Sequence, residues 1–134
     1  MEFKICKQFS VFLENRLGTL SALCKVISDR SINLLAICAI DTVEEAVLRI
    51  IPEKEIDALN ALKEAGFGVI ETDVFLITLD NIPGATGKVA TKLAEGGVNI
   101  NYIYASAHPE GPKAYLVLRT HQVAEAEEIL RGGV

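Results

Sequence analysis

Two short stretches carry the residues whose types and spacing suit chemistry: Asn81-Ile82-Pro83-Gly84 and Asn15-Arg16-Leu17-Gly18. Each follows an apolar run closed by an acid, Asp80 or Glu14, and each precedes residues of helical periodicity. A glycine at a strand-to-helix turn lets the backbone come close to a ligand. The open N–H groups of a helix start attract a carboxylate through hydrogen bonds and the helix dipole. Asparagine adds a donor and an acceptor in one side chain. The chemistry expected of these stretches is recognition of a small carboxylate. The bland alternative for both asparagines is a turn residue that bonds local backbone.

Other reactive residues do not assemble by spacing. His108 sits in a Gly- and Pro-rich segment and His121 near a helix start, with no second His or Cys at metal-ligand spacing from either. Both read as solvated. Cys6, Cys24 and Cys38 are odd in number and lack CxxC spacing, so they read as free thiols packed as small apolar residues. No Ser/His/Asp or Cys/His set converges, so the expectation is no catalytic set, no metal and no cofactor. A net charge of −5 and a pI near 5.0 oppose binding to nucleic acid, whose affinity comes from clustered Lys and Arg. No apolar run reaches the roughly 20 residues needed to cross a bilayer, and "MEFKICKQF" does not read as a signal peptide. A cytoplasmic protein that binds neither nucleic acid nor membrane is expected.

The elements that must position the two stretches repeat. An offset of 66 positions superposes Phe9 on Phe75, Leu13 on Leu79, Asn15 on Asn81, Gly18 on Gly84, Asn33 on Asn99 and Ile37 on Ile103. Apolar positions between them keep step, so the chain is two copies of one unit. Each copy reads as strand, helix, strand, strand, helix. "FSVFLEN" and "FLITLDN" are β-rich runs ending at Asn. Leu20, Leu23, Cys24 and Ile27 form one helical stripe, and Val89, Ala90 and Leu93 its counterpart. "INLLAICAI" and "EAVLRII" flank an acidic turn, whereas "VNINYIYAS" and "AYLVLRT" flank "AHPEGPK". The final helix of the first copy places Ile56, Leu59, Leu62 and Ala65 on its stripe; that of the second places Val123, Ala126 or Glu127, Ile129 and Leu130.

The last strand of each copy is displaced. "GVIETD" runs into "VFLITL" without a turn signal, and "EFKICKQ" runs likewise into "FSVFL". The second copy ends at "LRGGV" with no residues left for a closing strand, and a bare sheet edge invites aggregation. Residues 2–7 are therefore expected to close the second unit and residues 68–73 the first. The two long segments would pair antiparallel, joining two four-stranded βαββαβ units into one continuous eight-stranded sheet. The expected fold is α+β with an exchanged N-terminal strand, divided into units 1–73 and 74–134.

"LENRLGTLSALCKVISDRSINLLAI" and "LDNIPGATGKVATKLAEGGVNINYI" each resemble the ACT domain, and the whole resembles small tandem ACT proteins. The motif is Asn, any residue, Pro, Gly, a helix, and then (V/I)NI entering the second strand. That resemblance implies a ferredoxin-like regulatory unit that binds a free amino acid at the interface between units. It implies ligand contacts from Asn15, Arg16, Leu17 and Gly18, from Asn81, Ile82, Pro83 and Gly84, and from Asn33 and Asn99 on strands of the partner unit. It further implies a homodimer without enzymatic activity, acting on a metabolic enzyme or a regulator of amino-acid synthesis. The second copy is nearer the motif, since Leu17 replaces its proline in the first. Some serine-binding relatives carry histidine where Leu13 and Leu79 stand. A ligand-free interaction scaffold is the alternative. A small ferredoxin-like hydrolase is less favoured, because only Arg16 would serve its phosphate loop and Ile82 stands at the matching place.

Overall fold

The computed structural model describes residues 1–41 and 45–133. The acidic turn expected between the strands of the first copy lies, at 42–44, outside the described residues. The elements are β1 (Glu2–Glu14), α1 (Thr19–Ser28), β2 (Leu34–Asp41), β3 (Glu45–Pro52), α2 (Glu55–Glu64), β4 (Val69–Asp80), α3 (Ala85–Glu95), β5 (Tyr102–Ala107), β6 (Lys113–Arg119) and α4 (Val123–Arg131). The strand order is β2-β3-β1-β4-β6-β5 in an antiparallel sheet. Six strands stand where eight were expected, because β1 and β4 each run unbroken through segments counted as two.

The residues fall into two compact units, one of Lys7–Thr72 and one that joins Met1–Cys6 to Asp73–Val134. In the first unit the end of β1 lies between β3 and the start of β4; in the second the end of β4 lies between β6 and the start of β1. Each unit is thus a four-stranded ferredoxin-like sheet with two helices, and the N-terminal strand is exchanged into the second unit. Register follows the period of two along each strand. Phe9, Val11 and Leu13 of β1 face a core with Leu48 and Ile50 of β3. Phe75, Ile77 and Leu79 of β4 do the same with Leu116 and Leu118 of β6. These positions are buried alike in both copies, 66 residues apart on β1 and β4 and 68 apart on β3 and β6, where the second hairpin is two residues longer.

The helix stripes hold for α1 through Leu23 and Ile27, for α3 through Val89 and Leu93, and for α4 through Ala126 and Leu130. In α2 the stripe is rotated. Ala58, Ala61 and Leu62 are buried, whereas Ile56 is 77% exposed. The small alanines let α2 lie close against its neighbours, and that phase turns Ile56 outward. The cysteines are half-buried and outside both cores. Tyr102 and Tyr104 pair with Arg119 and Val117, on the sheet face opposite core residues Leu116 and Leu118.

Helix α1 ends on Ser31 at φ 56, where the second copy has Gly97 at φ 79. In each, a bond closes back over the last turn, from Ile32 N–H to the Ile27 carbonyl and from Val98 N–H to the Leu93 carbonyl. The left-handed residue is thus Ser31 or Gly97, and neither Asn33 nor Asn99 ends a helix. β5 begins at Tyr102, later than expected, because the preceding backbone is bonded elsewhere. The Asn99 carbonyl accepts from the Thr120 hydroxyl at 2.7 Å, and the Asn99 N–H donates to Gln122 Oε1 at 2.9 Å.

Phe3 ties the exchanged strand to the second core, its ring 6.0 Å from that of Phe75. Phe3→Ala should lower stability by about 2 kcal/mol, less than a fully buried phenylalanine would cost. Chemical denaturation checks this, and an unchanged midpoint would mean that the exchanged strand contributes no packing.

Candidate functional site

The two junctions form the same turn by different means. Gly18 (φ 88, ψ −6) and Gly84 (φ 87, ψ −7) take the left-handed conformation just before α1 and α3. Thr19 N–H reaches the Arg16 carbonyl at 3.5 Å, and Ala85 N–H reaches that of Ile82 at 3.3 Å. These are type II turns, with Leu17 or Pro83 at the second position and glycine at the third. Proline presets the second turn. In the first, the Thr19 hydroxyl bonds the Glu14 carbonyl at 3.0 Å or that of Arg16 at 3.1 Å.

The asparagines do not bond their own turns. Asn15 Nδ2 donates to Asp41 Oδ1 at 2.8 Å, joining the turn to the end of β2. Asn81 Nδ2 donates to the carbonyls of His108 and Gly111, at 2.8 and 2.9 Å, and so pins the loop between β5 and β6. The Asn81 N–H also reaches the Pro112 carbonyl at 3.0 Å. Both amide hydrogens of Asn81 are therefore spent on backbone, whereas Asn15 faces a carboxylate in the open.

The surroundings differ in charge. Asp80 and Lys113 are directly opposed on β4 and β6 and form a 2.7 Å ion pair. The hydrogen bond from Lys113, and then its charge, hold the Asp80 carboxyl below the usual carboxylate range. The bond to Asp80 raises Lys113 correspondingly. Glu14 and Glu45 occupy the matching positions of the first unit, with Arg16 Nε 3.1 Å from Glu14.

A cleft of about 270 Å³ opens at the first turn. Asn15, Arg16, Gly18, Thr19 and Asp41 form one end, and Leu13, Leu20, Ala39, Ile40, Ala46 and Leu48 line the remainder. The start of α1 carries no side-chain cap and no acid in its first turn. The N–H groups of Leu20 and Ser21 have no acceptor among the described residues, since the helical ladder begins with Ala22 N–H on the Gly18 carbonyl. Of the expected site residues, the cleft gathers Asn15, Arg16 and Gly18; Leu17 points wholly into solvent. Gly84 instead lines a concavity of about 520 Å³ along α3, with Gly87, Lys88, Thr91, Lys92 and Glu95. Ile82 and Pro83 are exposed.

Asn33 and Asn99 are exposed and lie outside the cleft. Asn33 precedes β2, whereas Asp41 ends it, so eight residues of strand separate Asn33 from the Asn15 turn by about 25 Å. Sequence reading missed Asp41 and the apolar wall. The only signal was the difference between copies, since Ala107 stands where Asp41 would repeat. Among the described residues no group of His, Cys, Asp and Glu is placed to hold a metal ion. No helix among them is long and apolar enough to cross a membrane.

The chain matches the ACT domain pair over residues 4–132 and belongs to that family. It is similar to a solved protein of Bacteroides thetaiotaomicron, at 35% identity over 97% of this chain and 89% of that one, with a TM-score of 0.90. The regulatory subunit of aspartate kinase from Thermus thermophilus, in its ligand-free form, shares the fold at 17% identity and a TM-score of 0.72, covering 97% of this chain and 91% of that one. That of Thermus flavus does so at 17% identity and a TM-score of 0.64, over 98% and 94%. No curated protein matches the chain.

The near-identical turn angles predict opposite outcomes for neighbouring substitutions. Leu17→Pro should stabilise by about 0.4–1 kcal/mol, because Pro83 already fits this geometry and Leu17 buries nothing. Gly18→Ala should destabilise by about 1–2 kcal/mol through its backbone angle, since open space surrounds the site. Thermal and urea denaturation measure both. The Asp80–Lys113 pair contributes fully at neutral pH. Its carboxylate share is lost as pH falls through the lowered Asp80 value, and its ammonium share as pH rises through the raised Lys113 value. In Lys113→Gln, the Asp80 titration followed by NMR should move upward; an unmoved titration would deny the coupling.

Proposed function

We propose that this ACT pair is a non-enzymatic regulatory module that binds a free amino acid, and that the first unit's cleft is its site. The observation that carries the reading is the junction of Asn15 with Asp41 beside an uncapped helix start, at the mouth of a cleft of about 270 Å³. That volume lies near the lower limit of small-molecule sites. The ligand's carboxylate meets the N–H groups of Leu20 and Ser21, where the dipole of α1 and Arg16 favour negative charge. Its ammonium meets the Asp41 carboxylate and the Asn15 amide oxygen, which are acceptors. Gly18 leaves the backbone open at the point of approach.

Asn33 lies too far along β2 to reach this ligand from its own unit. Its contribution, and that of Asn99, is proposed to a ligand held by a second copy of the chain. Homodimerisation follows from that reading. Regulation then acts through a metabolic enzyme or a regulator that distinguishes the bound from the free dimer, and its extent is limited to the ligand's differential affinity.

A second reading, a scaffold without ligand, is favoured at the second turn alone. There both amide hydrogens of Asn81 are engaged by the loop it pins, and Ile82 replaces Arg16.

A thermal-shift screen against the twenty amino acids tests the proposal, because a ligand of the folded state raises its melting temperature. At least one should do so at millimolar concentration. Asn15→Ala should then weaken binding by about 1–3 kcal/mol with little loss of stability, whereas Asn81→Ala should cost about 1–3 kcal/mol of stability and leave affinity unchanged. No shift with any amino acid would refute the sensor reading, and loss of affinity only in Asn81→Ala would move the site to the second unit.

A further inference from the structure

We infer that the first unit's cleft selects an amino acid with an apolar side chain. This inference rests on the proposed function and adds the ligand class. The polar groups of the cleft are gathered at one end. Asn15, Arg16 and Asp41 stand at the turn with the open N–H groups of α1. The Thr19 hydroxyl is turned away to the Glu14 and Arg16 carbonyls, so its donor is already engaged. The side chains beyond are apolar: Leu13 and Leu48 form the buried floor, Ala39 and Ala46 the strand wall on the same sheet face, and Leu20 the helix side.

An amino acid held by its charged backbone groups at the turn must lay its side chain along this surface. A hydroxyl, carboxylate or ammonium there would give up hydration and find no side-chain partner among the described residues, at a penalty that grows with charge. An aliphatic or aromatic side chain instead removes apolar surface from water on both sides. The small Ala39 and Ala46 leave the room, and Leu20, 46% exposed before anything binds, is the residue with most surface to gain.

Calorimetric titration of the full chain with leucine, isoleucine, valine and phenylalanine, and with glycine, serine, aspartate and lysine, reads the selectivity. At least one of the first four should bind tenfold or more tighter than every one of the second four. Leu20→Asn, at a half-exposed position outside the buried core cluster, should lower that affinity at least fivefold while lowering the melting temperature of the free protein only slightly. Comparable or tighter binding of serine, aspartate or lysine, still abolished by Asn15→Ala, would overturn the ligand class while leaving the site in place. An unchanged affinity in Leu20→Asn would overturn the apolar wall as the selecting surface. Absence of binding by all eight would overturn this inference, and only silence across all twenty amino acids would take the sensor reading with it.

Discussion

Backbone hydrogen bonding along β1 and β4 is the constraint from which the rest of the architecture follows. A βαββαβ unit needs a fourth strand beside its first, and in the second unit the start of β1 takes that place. The thirteen-residue β1 and the twelve-residue β4 meet that need by each serving both units. Within the first unit, Phe12 N–H on the Gly68 carbonyl is one such bond. β1 and β4 are thereby paired on both sides inside one chain, leaving β2 and β5 as the edges, and the same strands deliver Asn15 and Asn81 to the starts of α1 and α3.

Repetition then lets the copies specialise. The turn geometry is held almost invariant, with glycine angles one degree apart, while the atoms that brace it are exchanged. One copy uses a threonine hydroxyl and leaves its asparagine with a carboxylate partner. The other uses proline and spends its asparagine on a longer hairpin.

Local periodicity made the fold legible. Phe9, Leu13, Leu23 and Ile27 and their counterparts 66 residues later recur because burial demands them twice. The α2 stripe was misread because a pattern of large apolar residues does not register alanines as the buried face, as Ala58 and Ala61 are. The continuity of β1 and β4 was legible because no turn signal interrupts either run, whereas the expected eight strands counted each of them once for every unit it serves. The turns were legible from Asn and Gly. The proline brings the second turn nearer the family motif, while Asn15, Arg16 and Gly18 of the first line the cleft of about 270 Å³. Asp41 lies 26 residues from Asn15 and meets it only after the hairpin forms, so no local pattern contains the pair.

The central claim, that an amino acid occupies the first turn, is tested most directly by amide NMR spectra of the full chain titrated with free leucine. The account predicts saturable movement of the Leu20 and Ser21 amide signals and of the Asn15 side-chain amide, with Thr86 and Gly87 at the second turn unmoved. Movement confined to Thr86 and Gly87, or no saturable movement at either turn with any amino acid, would contradict it.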